Sequence, residues 1–151
     1  MSLLWTGEII RFEVRSIGGD RDPRGDALAR SAGEHAPTRL VHSAVYLIGG
    51  TLDANACNRL ARELLADPVT QSWTWKRMHG SASGPASGEI LSTTGTLPDA
   101  IIEVHPLPGV MDPAADSVKI AAQALLGSDV EVRTGARFDF WGVSKAQARA
   151  I

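Results

Sequence analysis

Between Glu8 and Arg15 the chain alternates residue by residue, with Ile10, Phe12 and Val14 on one side and Arg11, Glu13 and Arg15 on the other. A period of two is that of a half-buried strand. Ile17-Gly18-Gly19-Asp20 breaks the pattern, and Asp22-Pro23 opens a helix over roughly Pro23 to Ala32. The aspartate caps free backbone N–H groups, and proline at the first helical position gives up no hydrogen bond. Leu40–Ile48 reads as a long strand ended by Gly49-Gly50. Leu52, Ala56, Cys57, Leu60, Ala61, Leu64 and Leu65 then recur at helical spacing, with Asp53 as N-cap and Leu52 and Cys57 placed as a hydrophobic staple. Gln71–Arg77 alternates again and carries Trp73 and Trp75 on one face.

From Gly80 to Gly95 the composition turns to Gly, Ser, Ala, Thr and Pro, which reads as an exposed linker with room for a short edge strand near Glu89 to Leu91. The earlier order then returns. Ala100–His105 is a strand, Pro106–Met111 a Pro/Gly turn, and Asp112-Pro113 opens a helix with Val118, Ala121, Ala122 and Leu125 on its apolar face. Val130–Trp141 is a long strand interrupted at Gly135, and Ser144 with Gln147 makes a capping box for a last helix. Asp22-Pro23 answers to Asp112-Pro113, and Tyr46-Leu47-Ile48-Gly49-Gly50 to Phe138-Asp139-Phe140-Trp141-Gly142. Repetition of this kind marks two copies of one supersecondary unit packed together. The expected class is α+β, with antiparallel sheets, helices on one face, and the long strand bending or doubling back in a split β-α-β arrangement. The units span 1–79 and 99–151, joined by 80–98, and the second lacks the closing strand of the first. That leaves a sheet edge open unless another chain covers it.

Composition narrows the function. The 151 residues are 44% apolar and 21% charged, with a net charge of −2. The basic surplus typical of nucleic-acid modules is missing. A lone cysteine forms no internal disulfide, which fits a reducing compartment. No run approaches the ~20 apolar residues of a membrane helix, and no signal peptide is evident at the N-terminus. A cytoplasmic protein without nucleic-acid or membrane partners is the expectation.

Candidate chemistry is sparse. Cys57 lies on the apolar face of its helix with no acid or His at a suggestive spacing, so core packing outweighs a nucleophile. His35, His42, His79 and His105 lack metal-ligand spacing. Gly18-Gly19 and Gly49-Gly50 lack the context of a phosphate loop and read as turn punctuation. Trp73 and Trp75 could stack bases, but packing or a protein interface suits the charge balance better. Asp22 and Asp112 could be acid/base groups, yet capping accounts for both. Arg133 and Arg137, flanking Gly135, are either solvated strand charges or anion and interface contacts. No catalytic or metal residue is expected. Asp22, Asp53, Asp112 and Ser144 are expected as helix caps.

Ile101-Ile102-Glu103-Val104-His105-Pro106-Leu107-Pro108-Gly109-Val110-Met111-Asp112-Pro113, followed by Val130-Glu131-Val132-Arg133-Thr134-Gly135-Ala136-Arg137-Phe138, resembles the PurS-type module of phosphoribosylformylglycinamidine synthase. Leu60–Val69, leading into Trp73 and Trp75, resembles another stretch of the same pattern. The resemblance covers roughly residues 5–78 and 99–151, as in the tandem N-terminal region of the fused form of that ligase. It implies a ferredoxin-like, PurS-like pair serving purine biosynthesis as a non-catalytic assembly and ammonia-channel module. The ATP and Mg sites would lie in a synthetase domain, with no cofactor in this chain. Its partners would be the synthetase and glutaminase domains, with self-association or a pseudo-dimer of the two modules. Ser43-Ala44 replaces the family's Arg-x-Gly turn in the first copy, so any contact of that turn falls to Arg133-Thr134-Gly135. The resemblance also favours Arg133 and Arg137, with Gly135 between them, as interface or anion contacts, and Trp73 and Trp75 stand beside them as interface candidates. Two other readings stand beside it: a stand-alone small-molecule-sensing regulatory dimer, and an RNA-binding domain whose affinity would fall steeply with salt.

Overall fold

The computed structural model describes residues 8–17, 22–78 and 97–151. The alternating segment Glu8–Ser16 forms β1. It lies antiparallel between β2, Arg39–Gly50, and β3, Gln71–Arg77. On its far side β2 pairs along its whole length with β5, Glu131–Trp141, and β5 pairs with β4, Ala100–Val104. One five-stranded antiparallel sheet results, in the order β3-β1-β2-β5-β4. The two repeated units therefore share a single sheet, and the β2–β5 ladder joins them.

The helices follow their caps. Asp22 accepts from the Arg24 N–H at 3.2 Å and starts α1, Pro23–Ser31. Asp53 accepts from the Ala56 N–H at 2.7 Å and starts α2, Ala54–Leu60. That helix widens into a π-turn over Ala61–Leu65, where the Ala66 N–H reaches back to the Ala61 carbonyl at 3.0 Å. Asp112 caps α3, Pro113–Leu126, through the Ala115 N–H at 3.0 Å. Ser144 and Gln147 form a complete capping box on α4, Lys145–Ala150.

Strand alternation decides which side of the sheet these helices cover. Ile10, Phe12, Ile48, Val132, Trp73 and Trp75 form one core with Leu52, Cys57, Leu60, Ala61 and Ala122 from the α2 and α3 region. Leu40, Ala100, Ile102 and Phe140 form a second with Leu28 and Ala29 of α1 and Ala148 of α4. All these strand residues project to the same side. The Leu52–Cys57 staple is buried at both ends.

A pseudo-two-fold axis passes between Ala44 and Ala136, which face each other across the β2–β5 ladder. It exchanges the pair His42–Phe138 with Tyr46–Thr134. The local evidence for the repeat agrees. The Asp22 carboxylate accepts from the His42 N–H as well as capping α1, and Asp112 accepts from the Thr134 N–H as well as capping α3.

Two expectations are corrected. Neither long strand doubles back, and β5 is not interrupted, because Gly135 pairs in register with Val45. A close approach is found there instead: a Cβ at Gly135 would stand 2.4 Å from the His105 ring, which would have to swing away. The Gly18-Gly19 turn, His79, the Glu89 to Leu91 strand and nearly all of the linker 80–98 lie outside the described residues. Among the described strands, β4 is the edge of the sheet, and none lies beyond it where β3 flanks β1 in the first unit.

Candidate functional site on the helix-free face

The opposite side of the sheet carries no helix among the described residues, yet Val45 and Ser43 at its centre are wholly buried. Long charged side chains lying flat across the strands account for this. Arg11 of β1 reaches Glu103 of β4, so the two side chains together span β2 and β5. In the other direction Arg137 of β5 donates to Glu13 Oε1 of β1 at 3.3 Å. Arg11 Nε donates to the same Glu13 oxygen at 2.9 Å, and Arg137 Nε to Asp139 Oδ1 at 2.7 Å. Arg15 stands 3.6 Å from Asp139. The small residues Ser43, Val45 and Gly135 give the network its floor.

The two-fold axis relates Glu13 to Glu103, through their respective pairings with Val45 and Arg137. Each glutamate is held by an arginine from the other unit: Glu103 by Arg11, and Glu13 by Arg137. The network thus ties the two units together across their shared ladder.

Burial governs the electrostatics here. Desolvation lowers the Arg15 pKa more than Asp139 and Glu13 raise it. Burial works against the charged form of Glu103 too, but hydrogen bonds from Arg11 and His105 outweigh it and hold the carboxyl below its ordinary value. Ser43 Oγ and Arg15 Nε are buried without a hydrogen-bond partner among the described residues. The Arg-carboxylate pairs are satisfied charge-assisted bonds, a structural rather than a reactive arrangement.

The face also has a basic excess. Its described strands present Arg11, Arg15, Arg39, Lys76, Arg133 and Arg137 against Glu13, Glu103, Glu131 and Asp139. The chain as a whole is net −2. Near one end a cup of about 290 Å³ opens between Leu47, Arg133 and the loop after β4.

Of the residues singled out from sequence, Arg133, Gly135 and Arg137 all project from β5 on this face. Trp73 and Trp75 do not: they face the helices at 7% and 3% exposed, and Trp75 Nε1 donates to Asn58 Oδ1 at 2.8 Å. Both tryptophans are core residues. Burial also pushes the Cys57 thiol up to about 11, so it is a thiol at neutral pH. Asp22 and Asp112 are fully engaged in capping and in strand contacts. Among the described residues no group of three His, Cys, Asp or Glu side chains is placed to hold a metal ion. Among the described residues no helix is long and apolar enough to cross a membrane. Arg11, Glu13, Glu103 and Asp139 were not anticipated as a unit. Only the alternation of charge along β1 hinted at them, and it does not reveal their partners.

Comparison with family models, with curated proteins and with solved structures returns no match for this chain. The fold and site define an α+β protein with a five-stranded antiparallel sheet, helices on one side and a charged network on the other.

Proposed function

We propose that this chain is an assembly module of phosphoribosylformylglycinamidine synthase, a tandem of PurS-like, ferredoxin-like units that bridges synthetase and glutaminase domains and helps form the ammonia path. One observation carries the reading: two copies of a strand–helix–strand unit are fused about a pseudo-two-fold axis at Ala44 and Ala136 into one sheet. A fused pseudo-dimer is what the motif resemblance at Ile101–Pro113 and Val130–Phe138 implies. The reciprocal Arg11–Glu103 and Arg137–Glu13 pairs give that pseudo-dimer a fixed geometry, as a scaffold between two catalytic parts requires. In this reading ATP, Mg and the glutaminase cysteine belong to the other domains, and the cytoplasm is the compartment.

The test is reconstitution. The chain is mixed with the synthetase and glutaminase regions of a fused enzyme of this type from which the N-terminal region has been removed. Co-elution and recovery of glutamine-dependent, ATP-driven amidation of the formylglycinamide ribonucleotide are expected. ATP-dependent ligase turnover by this chain alone, or failure to associate with either region, would overturn the proposal.

A further inference from the structure

The loop after β4 is built to present apolar side chains to solvent. Pro106 and Pro108 fix φ on either side of Leu107, and the Val110 N–H closes the turn on the Leu107 carbonyl at 3.1 Å. Leu107, Val110 and Met111 are 73%, 52% and 83% exposed on this braced turn. Exposed apolar residues scattered singly need no explanation, but a cluster on one short turn does.

Behind the turn lies the cup of about 290 Å³, lined by Ile9, Leu47, His105, Pro106, Pro108 and Arg133. Arg11, Arg15 and Arg137 on the same face all have carboxylates within ion-pair distance. Arg133 has no ion pair or hydrogen bond among the described residues. Asp112 is close enough to feel its charge, but the Asp112 oxygens are taken by Ala115 and Thr134.

We propose that this cup and turn form a docking site for a partner-protein segment that places an apolar side chain on Leu47 and a neighbouring carboxylate on Arg133. Charge complementarity selects the carboxylate, since a planar guanidinium whose N–H donors are unused binds that group through two parallel bonds. The cup alone sits at the small end of ligand pockets. A small molecule filling it would leave Leu107 and Met111 bare, whereas a peptide segment crossing the turn covers both. The proline bracing lowers the ordering cost of binding, and an apolar anchor beside a desolvated charge pair is the usual make-up of an interface hot spot. This inference does not rest on the synthase reading, because any partner with that chemistry fits.

Selection from a random displayed dodecapeptide library against the full chain tests it. Expected is enrichment of peptides with a large apolar residue one to three positions from Asp or Glu. Arg133→Glu should weaken the best peptide more than tenfold and favour a peptide whose acid is replaced by Lys. Leu107→Ser with Met111→Ser should weaken binding several-fold with an unchanged Tm, and Arg149→Glu on α4 should change nothing. No enrichment, a consensus without an acid, or indifference to Arg133→Glu overturns the proposal. So does 4-phenylbutyrate filling the cup as tightly as the best peptide, which would mark a small-ligand site. A dimer in sedimentation lost in the Leu107/Met111 variant would assign the surface to a second copy of this chain, and also overturns it.

Discussion

Asp112 is held by Thr134 at two points, through the backbone N–H at 3.1 Å and through the hydroxyl at 3.0 Å, while its other duty is to cap α3. One carboxylate thereby fixes the start of a helix to the middle of a strand 22 residues away. In the first unit Asp22 binds the His42 N–H in the corresponding place. The Asp-Pro pair is therefore a clamp between helix and strand as well as a local cap.

Removing the clamp should cost more than removing a cap. Burial by itself would raise the Asp112 carboxyl, but hydrogen bonds from Ala115 and Thr134 prevail and hold it below its ordinary value. Asp112→Ala loses the cap and leaves the Thr134 N–H without its partner, together about 2 kcal/mol. Asp112→Asn keeps one acceptor and should cost about half as much. Urea unfolding of the two variants measures this, and equal losses would reduce Asp112 to an ordinary cap.

Gly25→Ala tests how tightly α1 lies on β2. In an exposed helix this change stabilises by about 1 kcal/mol. At Gly25 a Cβ would stand 2.0 Å from the Leu40 carbonyl oxygen, a backbone atom that cannot turn aside. The sign should reverse, with a loss of about 1–3 kcal/mol from overpacking. Thermal unfolding decides it, and any gain in Tm would mean that α1 can lift away from the strand.

Much of this architecture was legible because its causes are local. The alternation of Ile10, Phe12 and Val14 follows from the strand period, and Asp22, Asp53, Asp112 and Ser144 cap helices through bonds spanning a few residues. The repeat was legible in the same way, as a recurring order of such signals. What depends on register between distant segments was not. A glycine inside a strand fits a bulge as well as a close approach, and choosing the latter at Gly135 requires knowing that His105 crosses over it. Arg11 and Glu103 are 92 residues apart, so alternation places each on a face but cannot pair them. Trp73 and Trp75 share a face, but the helix that buries them is identified only by the fold. The π-turn at Ala61–Leu65 leaves no periodic signature in so short a segment.

The reciprocal ion pairs yield a coupling prediction. Arg11→Ala and Glu103→Ala, singly and together, should show a coupling of about 1 kcal/mol, since Glu103 is about a third exposed and solvent screens the pair. Glu13 is more deeply buried and is shared by Arg11 and Arg137, so Glu13→Ala should destabilise more than Glu103→Ala. A double-mutant cycle by chemical denaturation measures both. Additive losses would mean that the Arg11–Glu103 pair contributes nothing to joining the two units.

Acid should weaken the fold in two separate stages. Burial lowers the pKa of His42, with Arg24 adding to the effect and Asp22 opposing it, and its ring lies 5.3 Å from that of Phe138. A depressed folded pKa means that the folded state binds fewer protons than the unfolded chain, whose imidazole titrates near 6.5. The contribution of His42 is therefore full above that pH and is lost as the pH falls through the lower folded value. Asp112 and Glu103 are also depressed, from 3.8 and 4.5, so their contributions hold until the pH falls below those values. Urea midpoints from pH 8 to pH 3 should show a first decline beginning near 6.5 and a second below about 4.5. His42→Leu removes the titrating ring while filling similar space, and should abolish the first decline while leaving the second in place. A variant that retains both declines would place the origin of the first outside the His42 imidazole.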